Sequence, residues 1–201
     1  IRDRHEAFAG FGQFILPAER RYDDNMPLAN VASLLPYHNY VTGERTVETI
    51  NTMIDYVQDG NRLFYDIYSD EDKRADARKN NTGLFFFRGE PGKPFAIVCP
   101  GGGFSYVGAI HEGFPLAIAL SKMGYNAFSI QYRTGSAQVA CEDLAQAIDF
   151  IMRHAEELQV STDDYSLWGG SAGARMAAYL GSYSTLGFIE ATHERPATVI
   201  M

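Results

Sequence analysis

The sequence is poor in several features that define common classes of protein. Among its 201 residues are two cysteines and one tryptophan, and no run reaches the ~18 apolar residues of a membrane-spanning helix. Two cysteines cannot build the disulfide framework of a small secreted domain. Basic residues are in the minority, 17 against 25 acidic ones, for a net charge of −8. This balance argues against a nucleic-acid partner and against a polybasic membrane patch.

Other absences concern metals, cofactors and targeting segments. No group of histidines, cysteines and acids has metal-ligand spacing, so we predict neither a metal ion nor a cofactor. Cys99 lies in an apolar run typical of a buried strand, and with Cys141 it is predicted to be a free thiol, consistent with a reducing, cytoplasmic compartment. The first residues lack the basic-then-apolar layout of a signal peptide, although a start at Ile1 also fits a trimmed leader.

The hydrophobic content of 46% fits one globular domain with a substantial core. We divide the chain into an N-terminal arm with a helix, 1–62, and a core, 63–201. Glycines and prolines interrupt the periodicity of residues 1–42, which predicts an irregular arm with one short helix at most. Apolar residues at helical spacing predict a helix over 46–58. The charged stretch 70–81 is interpreted as a solvated linker or turn.

Strand and helix patterns alternate through the core. A short link between the strands predicted at 82–88 and 95–99 indicates an antiparallel pair. The alternation that follows predicts right-handed crossovers and a mostly parallel sheet with helices on both faces, an α/β fold. The other predicted strands are 63–68, 126–132, 165–168 and 197–201, and the predicted helices are 112–123, 139–158 and 172–183.

The clearest chemistry lies in residues 165–179, YSLWGGSAGARMAAY. An apolar run meets Gly-Gly-Ser-Ala-Gly and then a small-residue helical pattern, which is the context of a G-x-S-x-G nucleophile elbow. Glycines let the strand and the helix of such an elbow pack closely, and the serine hydroxyl projects from the carboxyl edge of the sheet. The pattern predicts Ser171 as a nucleophile. The alternative is a glycine-rich turn whose serine caps the helix.

A second glycine-rich loop, PGGGFSY, follows the strand that ends at Cys99. Carboxyl ends of parallel strands meet at one edge, so we expect this loop and Ser171 to lie together. Three consecutive glycines let backbone N–H groups converge, as an oxyanion site requires. We predict oxyanion donors at Gly102, Gly103 and Ala172. A phosphate-binding loop is the alternative, although the lysine and the spacing of the known phosphate motifs are missing.

Three more residues near this edge are candidates for a substrate pocket. The aromatic side chains of Phe104 and Tyr106 are suited to line an acyl or sugar pocket, and equally to pack in the interior. His111 lies between the glycine loop and the next predicted helix. We interpret it as a pocket or helix-start residue, with a stand-in general base as the alternative.

Together these motifs resemble the α/β-hydrolase superfamily. The order of strand, Gly-Gly-Gly-Phe, a strand ending Gln-Tyr-Arg, helix, strand and Gly-Gly-Ser-Ala-Gly covers residues 63–201. The likeness is closest to the esterase/lipase branch, which includes hormone-sensitive lipase and small acetyl-ester hydrolases. Pro100 stands where many members have a histidine. The resemblance implies that Ser171 is the nucleophile, that Gly102, Gly103 and Ala172 are the oxyanion donors, and that short acyl esters are the substrates.

The resemblance also implies an acid and a histidine that follow the serine along the chain. In the superfamily they come after two further strands, so we expect a fold that is incomplete at the C-terminus. His193 falls on the amino edge of the sheet and is predicted to be a solvated loop histidine rather than the base. His154 is expected to face solvent, and His5 and His38 lie in the arm.

Three functions therefore stand open on the sequence. A serine carboxylesterase with a small-molecule ester substrate is the leading interpretation. A serine peptidase of the same fold would use the same serine on an amide. A non-catalytic member that keeps the elbow and binds a partner or a small molecule is the third, and the missing acid and base favour it, because a serine hydroxyl is a poor nucleophile without a base.

Overall fold

A computed structural model of the chain describes residues 5–17, 23, 25–34 and 41–201. Within this part, six strands form one sheet in the order β1-β2-β4-β3-β5-β6. The strands are β1 (Phe64–Tyr65), β2 (Gly83–Phe87), β3 (Pro94–Cys99), β4 (Asn126–Gln131), β5 (Ser161–Gly169) and β6 (Thr198–Ile200). The helices are α1 (Gly43–Gln58), α2 (Asp70–Ala75), α3 (Phe114–Lys122), α4 (Ala137–Arg153), α5 (Ala155–Leu158) and α6 (Ala172–Tyr183).

None of the helices among the described residues combines the length and the hydropathy that a membrane crossing demands.

The sheet is mostly parallel, as the sequence predicts. Strands β4, β3, β5 and β6 run parallel to one another. At one side β2 pairs antiparallel with β4, and β1 pairs antiparallel with β2. The predicted β2–β3 pair is wrong, because β4 lies between these strands and pairs with both. The α/β architecture and the antiparallel start of the sheet are confirmed.

The link between β2 and β3 shows why β4 can insert. Asn126, the first residue of β4, accepts a hydrogen bond from the Gly89 N–H at 3.1 Å and donates to the carbonyls of Glu90 and Lys93, each at 3.0 Å. The link therefore passes over the start of β4. Crossing one strand means covering about 10 Å, two strand spacings, which such a link spans easily.

Three consecutive phenylalanines on β2 divide the core between the two faces of the sheet. Neighbouring side chains on a strand point to opposite faces. Phe85 and Phe87 accordingly contact Phe114 of α3, whereas Phe86 stacks on Phe128 of β4 with ring centroids 4.2 Å apart. All of these rings are 2% exposed or less. Burial on both faces explains why this strand is apolar at every position.

The arm packs onto the core. Its described part contains short 3-10 turns, and the rings of Phe11 and Phe14 stack on Phe64, each with centroids 5.3 Å apart. The Thr42 hydroxyl accepts from the Arg45 N–H and caps α1, which begins earlier than predicted. The division of the chain at residue 63 stays an interpretation, and His38 lies outside the described residues.

The charged stretch 70–81, predicted to be a solvated linker or turn, folds into a short helix and a 3-10 turn, so a linker is the wrong alternative. Ser69 forms a capping box at the start of α2, and a 3-10 turn, Ala77–Asn81, follows. Asp76, between the two, pairs with the guanidinium of Arg133 at 3.1 Å. Local capping and one long-range ion pair therefore order residues that composition alone marks as solvated.

Two further helices differ from their predicted bounds. The helix predicted at 139–158 is divided into α4 and α5 at His154, whose ring stacks on Phe150 and whose Nδ1 lies 2.8 Å from the Phe150 carbonyl. The expectation that His154 faces solvent is wrong, because the side chain is half-buried. A single π-helical turn, Ala109–Gly113, precedes α3, and such turns are frequent at functional sites.

Candidate active site

Ser171 occupies a sharp corner between β5 and α6. Its backbone has φ 51° and ψ −116°, and its side chain is exposed. A non-glycine residue held at such angles costs about 1–3 kcal/mol, and the surrounding structure must enforce them. Ala172 starts α6 directly after the serine, so its N–H belongs to the first turn, where helical N–H groups have no partner within the helix.

Glycines allow the corner to close. A side chain at Gly173 would overlap the Cys99 carbonyl at the end of β3, and one at Gly169 would overlap the Gly173 backbone. Gly173 donates to the Gly170 carbonyl at 2.8 Å. Strand, turn and helix therefore pack at a distance that only glycine permits, which is the local reason for the G-x-S-x-G pattern.

The triglycine loop lies against this corner. A Cβ added to Gly101 would be 2.9 Å from the Ser171 Cβ. Gly102 and Gly103 have φ +138° and +62°, conformations that side chains rarely adopt. The Gly102 carbonyl accepts from the N–H groups of Ser105 and Tyr106 at 3.0 and 3.3 Å. The structure thus brings together the two motifs that the sequence places at the carboxyl edge.

A cavity of about 440 Å³ opens beside Ser171. Its walls come from β3, the π turn, α3, the corner and β6, and from α1 on the outside. His111 lines it, as the sequence analysis expects of a pocket residue, and is 6% exposed. The lining residues are Val41, Arg45, Thr46, Val98, Cys99, Ile110, His111, Glu112, Pro115, Leu116, Trp168, Gly169, Gly170, Ser171 and Ile200.

The two aromatic pocket candidates lie elsewhere on the loop. Tyr106 is buried at 8% exposure, and Phe104 packs between the Tyr132 ring and the guanidinium of Arg175. Neither is among the residues that line the cavity of Ser171. A role for them in binding substrate stays a prediction.

Sequence reasoning misses two charged residues of this cavity, Glu112 and Arg45. The Glu112 Oε2 accepts a hydrogen bond from the Gly101 N–H at 2.6 Å. In the sequence, Glu112 is an ordinary acid at the start of the helix predicted at 112–123, and Arg45 lies just before the helix predicted at 46–58. The only available signal is the position of Glu112 shortly after the glycine loop.

A buried ion network lies where β4 ends, next to the glycine loop. Arg133 is 5% exposed and Asp143 is fully buried. Asp143 accepts from the Arg133 N–H at 2.6 Å, from its guanidinium at 2.8 Å and from the Tyr68 hydroxyl at 2.6 Å. Arg133 also pairs with Glu142 and Asp76.

Burial and pairing oppose each other in this network. Burial raises the pKa of Asp143 above its ordinary value, and hydrogen bonds from Arg133 and Tyr68 lower it only in part. Burial also disfavours the charge of Arg133, but its bonds to Asp143 outweigh that effect and raise its pKa. Burial raises the pKa of Tyr68 as well. The hydrogen bonds and ion pairs within the network thus offset the free-energy cost of burying each of these groups.

The other described histidines, His5, His154 and His193, are not among the residues that line the cavity of Ser171. His193 Nε2 lies 2.9 Å from the carboxylate of Asp149, near the end of α4. The backbone N–H of His193 donates to the Thr185 hydroxyl. His193 is therefore a paired, half-buried residue, and the expectation of a solvated loop histidine is wrong. His5 caps a 3-10 turn in the arm. Neither His193 nor His5 lines the cavity.

Both cysteines are free, as predicted, and Cys99 is buried in its strand, also as predicted. Cys141 is buried as well. Burial raises the pKa of Cys99, and it raises that of Cys141 to about 12. Neither thiol is therefore a nucleophile at neutral pH.

Comparisons with known proteins agree with this fold. The chain is 28% identical over 87 residues to an acetylxylan esterase of Xylanibacter ruminicola, covering 42% of this chain and 18% of that protein. A candidate carboxylesterase of Lactobacillus plantarum WCFS1 has a TM-score of 0.53 at 22% identity, covering 59% of this chain and 52% of that one. MGS-M1, an α/β-hydrolase enzyme from a Medee basin deep-sea metagenome, has a TM-score of 0.50 at 22% identity, covering 59% and 50%.

The chain thus spans about half the length of these solved structures and under a fifth of the curated relative. The structural likeness establishes the α/β-hydrolase fold. The sequence profile of the BD-FAE family matches residues 88–197, which is more than half of the chain and includes both glycine motifs. The chain therefore belongs to the BD-FAE family.

Proposed function

We propose that this chain carries the nucleophile and the oxyanion site of a serine hydrolase that cleaves carboxylic esters. The observation that carries the proposal is the strained backbone of Ser171, φ 51° and ψ −116°, directly against Gly101 of the triglycine loop. A helix-capping serine has extended backbone angles, as Ser69 and Ser136 do here. Ser171 makes no capping hydrogen bond to α6, so the capping alternative loses its support.

In the proposed reaction the Ser171 Oγ attacks the ester carbonyl carbon and loses its proton to a general base. The carbonyl oxygen becomes an oxyanion, which the N–H groups of Gly102, Gly103 and Ala172 hold by hydrogen bonds. The C–O bond to the alcohol then breaks, and the alcohol leaves with the proton. Water releases the acyl group from the serine in a second, equivalent cycle. Each oxyanion donor contributes about 10²–10³ in rate in comparable enzymes.

The general base is not assigned to a described residue. We place His111 in the wall of the substrate cavity, where its buried ring borders the bound ester. The superfamily resemblance implies that the base and its acid follow two further strands. Activity is therefore to be measured on the complete protein encoded by the gene as well as on the 201-residue chain.

We propose short acyl esters, acetyl esters in particular, as substrates. Support comes from the acetylxylan esterase relative and from the partly apolar wall of the cavity, which includes Val98, Ile110 and Leu116. Turnover should accordingly be higher for p-nitrophenyl acetate than for the octanoate ester.

A fluorophosphonate probe, which reacts with activated serines, tests the mechanism. We expect covalent labelling of the complete protein and its loss in Ser171→Ala, with ester turnover falling at least about 10³-fold. Ser182 is an exposed serine on the same helix. Ser182→Ala is therefore the matched control and should be labelled to the same extent as the parent. Labelling of Ser171→Ala, or none of the parent, contradicts the proposal. The latter result favours the non-catalytic alternative, and faster turnover of amides than esters favours the peptidase.

A further inference from the structure

The side chain of Glu112 reaches from the π turn into the space between the glycine loop and the Ser171 corner. Its Oε2 accepts from the Gly101 N–H at 2.6 Å, which is short, as expected of a charge-assisted hydrogen bond. Its own N–H donates to the Gly108 carbonyl at 2.9 Å, so the π turn fixes the residue from its backbone. The carboxylate is thus held at one defined position at the wall of the cavity.

Three glycines from three segments surround this carboxylate. A Cβ added to Gly101, in the glycine loop, would lie 2.9 Å from Oε2, and one on Gly170, in the corner, would lie 3.2 Å from it. A Cβ on Gly108, at the π turn, would lie 3.7 Å from Oε1. Side chains at Gly101 or Gly170 would therefore crowd the Glu112 carboxylate, whereas one at Gly108 would only touch it. Glu112 borders all three segments.

The same carboxylate is a neighbour of Ser171. The Cβ added to Gly101 would be 2.9 Å from both the Glu112 Oε2 and the Ser171 Cβ. A carboxylate here cannot stabilise an oxyanion directly, because like charges repel. Glu112 instead accepts the hydrogen bond of the Gly101 N–H, so that this amide is not available to the substrate. The N–H groups of Gly102 and Gly103 are left to bind the oxyanion.

We propose that Glu112 is a positioning residue that anchors the triglycine loop, so that the N–H groups of Gly102 and Gly103 face Ser171. This inference rests on the function proposed above. Glycines at φ +138° and +62° have many alternative conformations. An oxyanion site acts only when its donors are already in place, and a misplacement of about 1 Å can cost 10²-fold in rate. The Glu112 carboxylate, a fixed acceptor for the Gly101 N–H, restricts the loop to one conformation.

Kinetics of two Glu112 variants of the complete protein separate positioning from general stability. Glu112→Ala removes the acceptor, and we expect kcat for p-nitrophenyl acetate to fall about 10²-fold with KM changed less than about threefold. Glu112→Gln keeps an acceptor oxygen of the same reach and should retain kcat within about tenfold. Glu157→Ala, an exposed acid on α5, is the control and should match the parent.

Amide hydrogen exchange tests the anchor without relying on activity. In Glu112→Ala the Gly101 N–H should exchange about tenfold faster or more, while core amides of β3 and β4 keep their protection. Unchanged exchange at Gly101, or faster exchange throughout the protein, overturns the positioning role. If exchange rises locally but the parent neither hydrolyses esters nor reacts with fluorophosphonate, the loop anchor stands and the proposed esterase function fails.

Discussion

The phenol of Tyr132 donates a 2.7 Å hydrogen bond to the backbone carbonyl of Pro100, the residue before the triglycine loop. Tyr132 is 1% exposed and follows the last residue of β4. Glu112 binds the N–H of Gly101 from the other side. The peptide group that joins Pro100 to Gly101 is thus held at both of its polar atoms, by side chains from two different elements.

Replacing Tyr132 with phenylalanine tests this double restraint. Because Tyr132→Phe removes the buried hydroxyl that donates to the Pro100 carbonyl, we expect the free energy of unfolding to fall by about 1–3 kcal/mol in urea titrations. We also expect kcat to fall about tenfold as the loop loosens. Tyr165→Phe is the matched control, since its buried phenol donates to the Glu194 carbonyl at 2.8 Å, away from the site. Equal kcat losses in both variants would contradict a specific effect on the loop.

Local motifs were readable from the sequence, and long-range contacts were not. The corner at Ser171 and the triglycine loop depend on glycines that are neighbours in the chain, so their patterns predict both structures and their shared edge of the sheet. Glu112 and Asn126 act on partners that lie far off in sequence or across a strand. Their types and spacing carry no such information, so the sequence does not predict the anchor of the loop and wrongly favours a β2–β3 pair.

Gly173→Ala is expected to disrupt the corner from the helix side. The added methyl would overlap the Cys99 carbonyl at the end of β3, so α6 must shift away. Overpacking of this kind costs about 1–3 kcal/mol of unfolding free energy, more when backbone atoms clash. Fluorophosphonate labelling of Ser171 should slow with it. Helix propensity alone predicts the opposite sign, because alanine favours helix over glycine by about 1 kcal/mol. A variant as stable as the parent would therefore refute the close contact.

The ion network at Arg133 gives a prediction about pH. Arg133→Met leaves the buried Asp143 carboxylate without its main partner, and removal of one member of a buried pair typically costs about 3–5 kcal/mol. Burial already holds the pKa of Asp143 above its ordinary value, and losing Arg133 removes the largest opposing effect. The protonated form of Asp143 is then the one that the folded state prefers.

The sign of the pH effect follows from that preference. A carboxyl with a higher pKa in the folded than in the unfolded state stabilises the fold at low pH, and this contribution is lost as the pH rises. The stability deficit of Arg133→Met should therefore shrink between pH 7.5 and pH 5, measured by urea unfolding against the parent at each pH. Lys93→Met is the control, because it breaks an exposed ion pair with Glu90. It should lower the free energy of unfolding by under about 1 kcal/mol at both pH values. A deficit that stays constant or grows on acidification contradicts the assignment.

Asn126 provides the test of how β4 comes to lie between β2 and β3. Its amide accepts from the Gly89 N–H and donates to the carbonyls of Glu90 and Lys93, and the residue is 2% exposed. Asn126→Asp has the same shape but replaces the donating nitrogen with an oxygen that faces two carbonyl oxygens. We expect a loss of about 3 kcal/mol or more in unfolding free energy, because two buried acceptors lose their donor and a charge is buried beside them.

The control for Asn126→Asp is Asn80→Asp, whose side-chain nitrogen donates to the Ala77 carbonyl on the surface at 2.9 Å. Water replaces that bond, so its loss should cost about 0.5 kcal/mol or less. Hydrogen exchange adds the structural readout, because weakening the link should release the amides of β2 that pair with β4 before those of β3 and β5. If Asn126→Asp is no less stable than Asn80→Asp, the link does not hold the strand order, and packing of the phenylalanines between β2 and β4 must determine it alone.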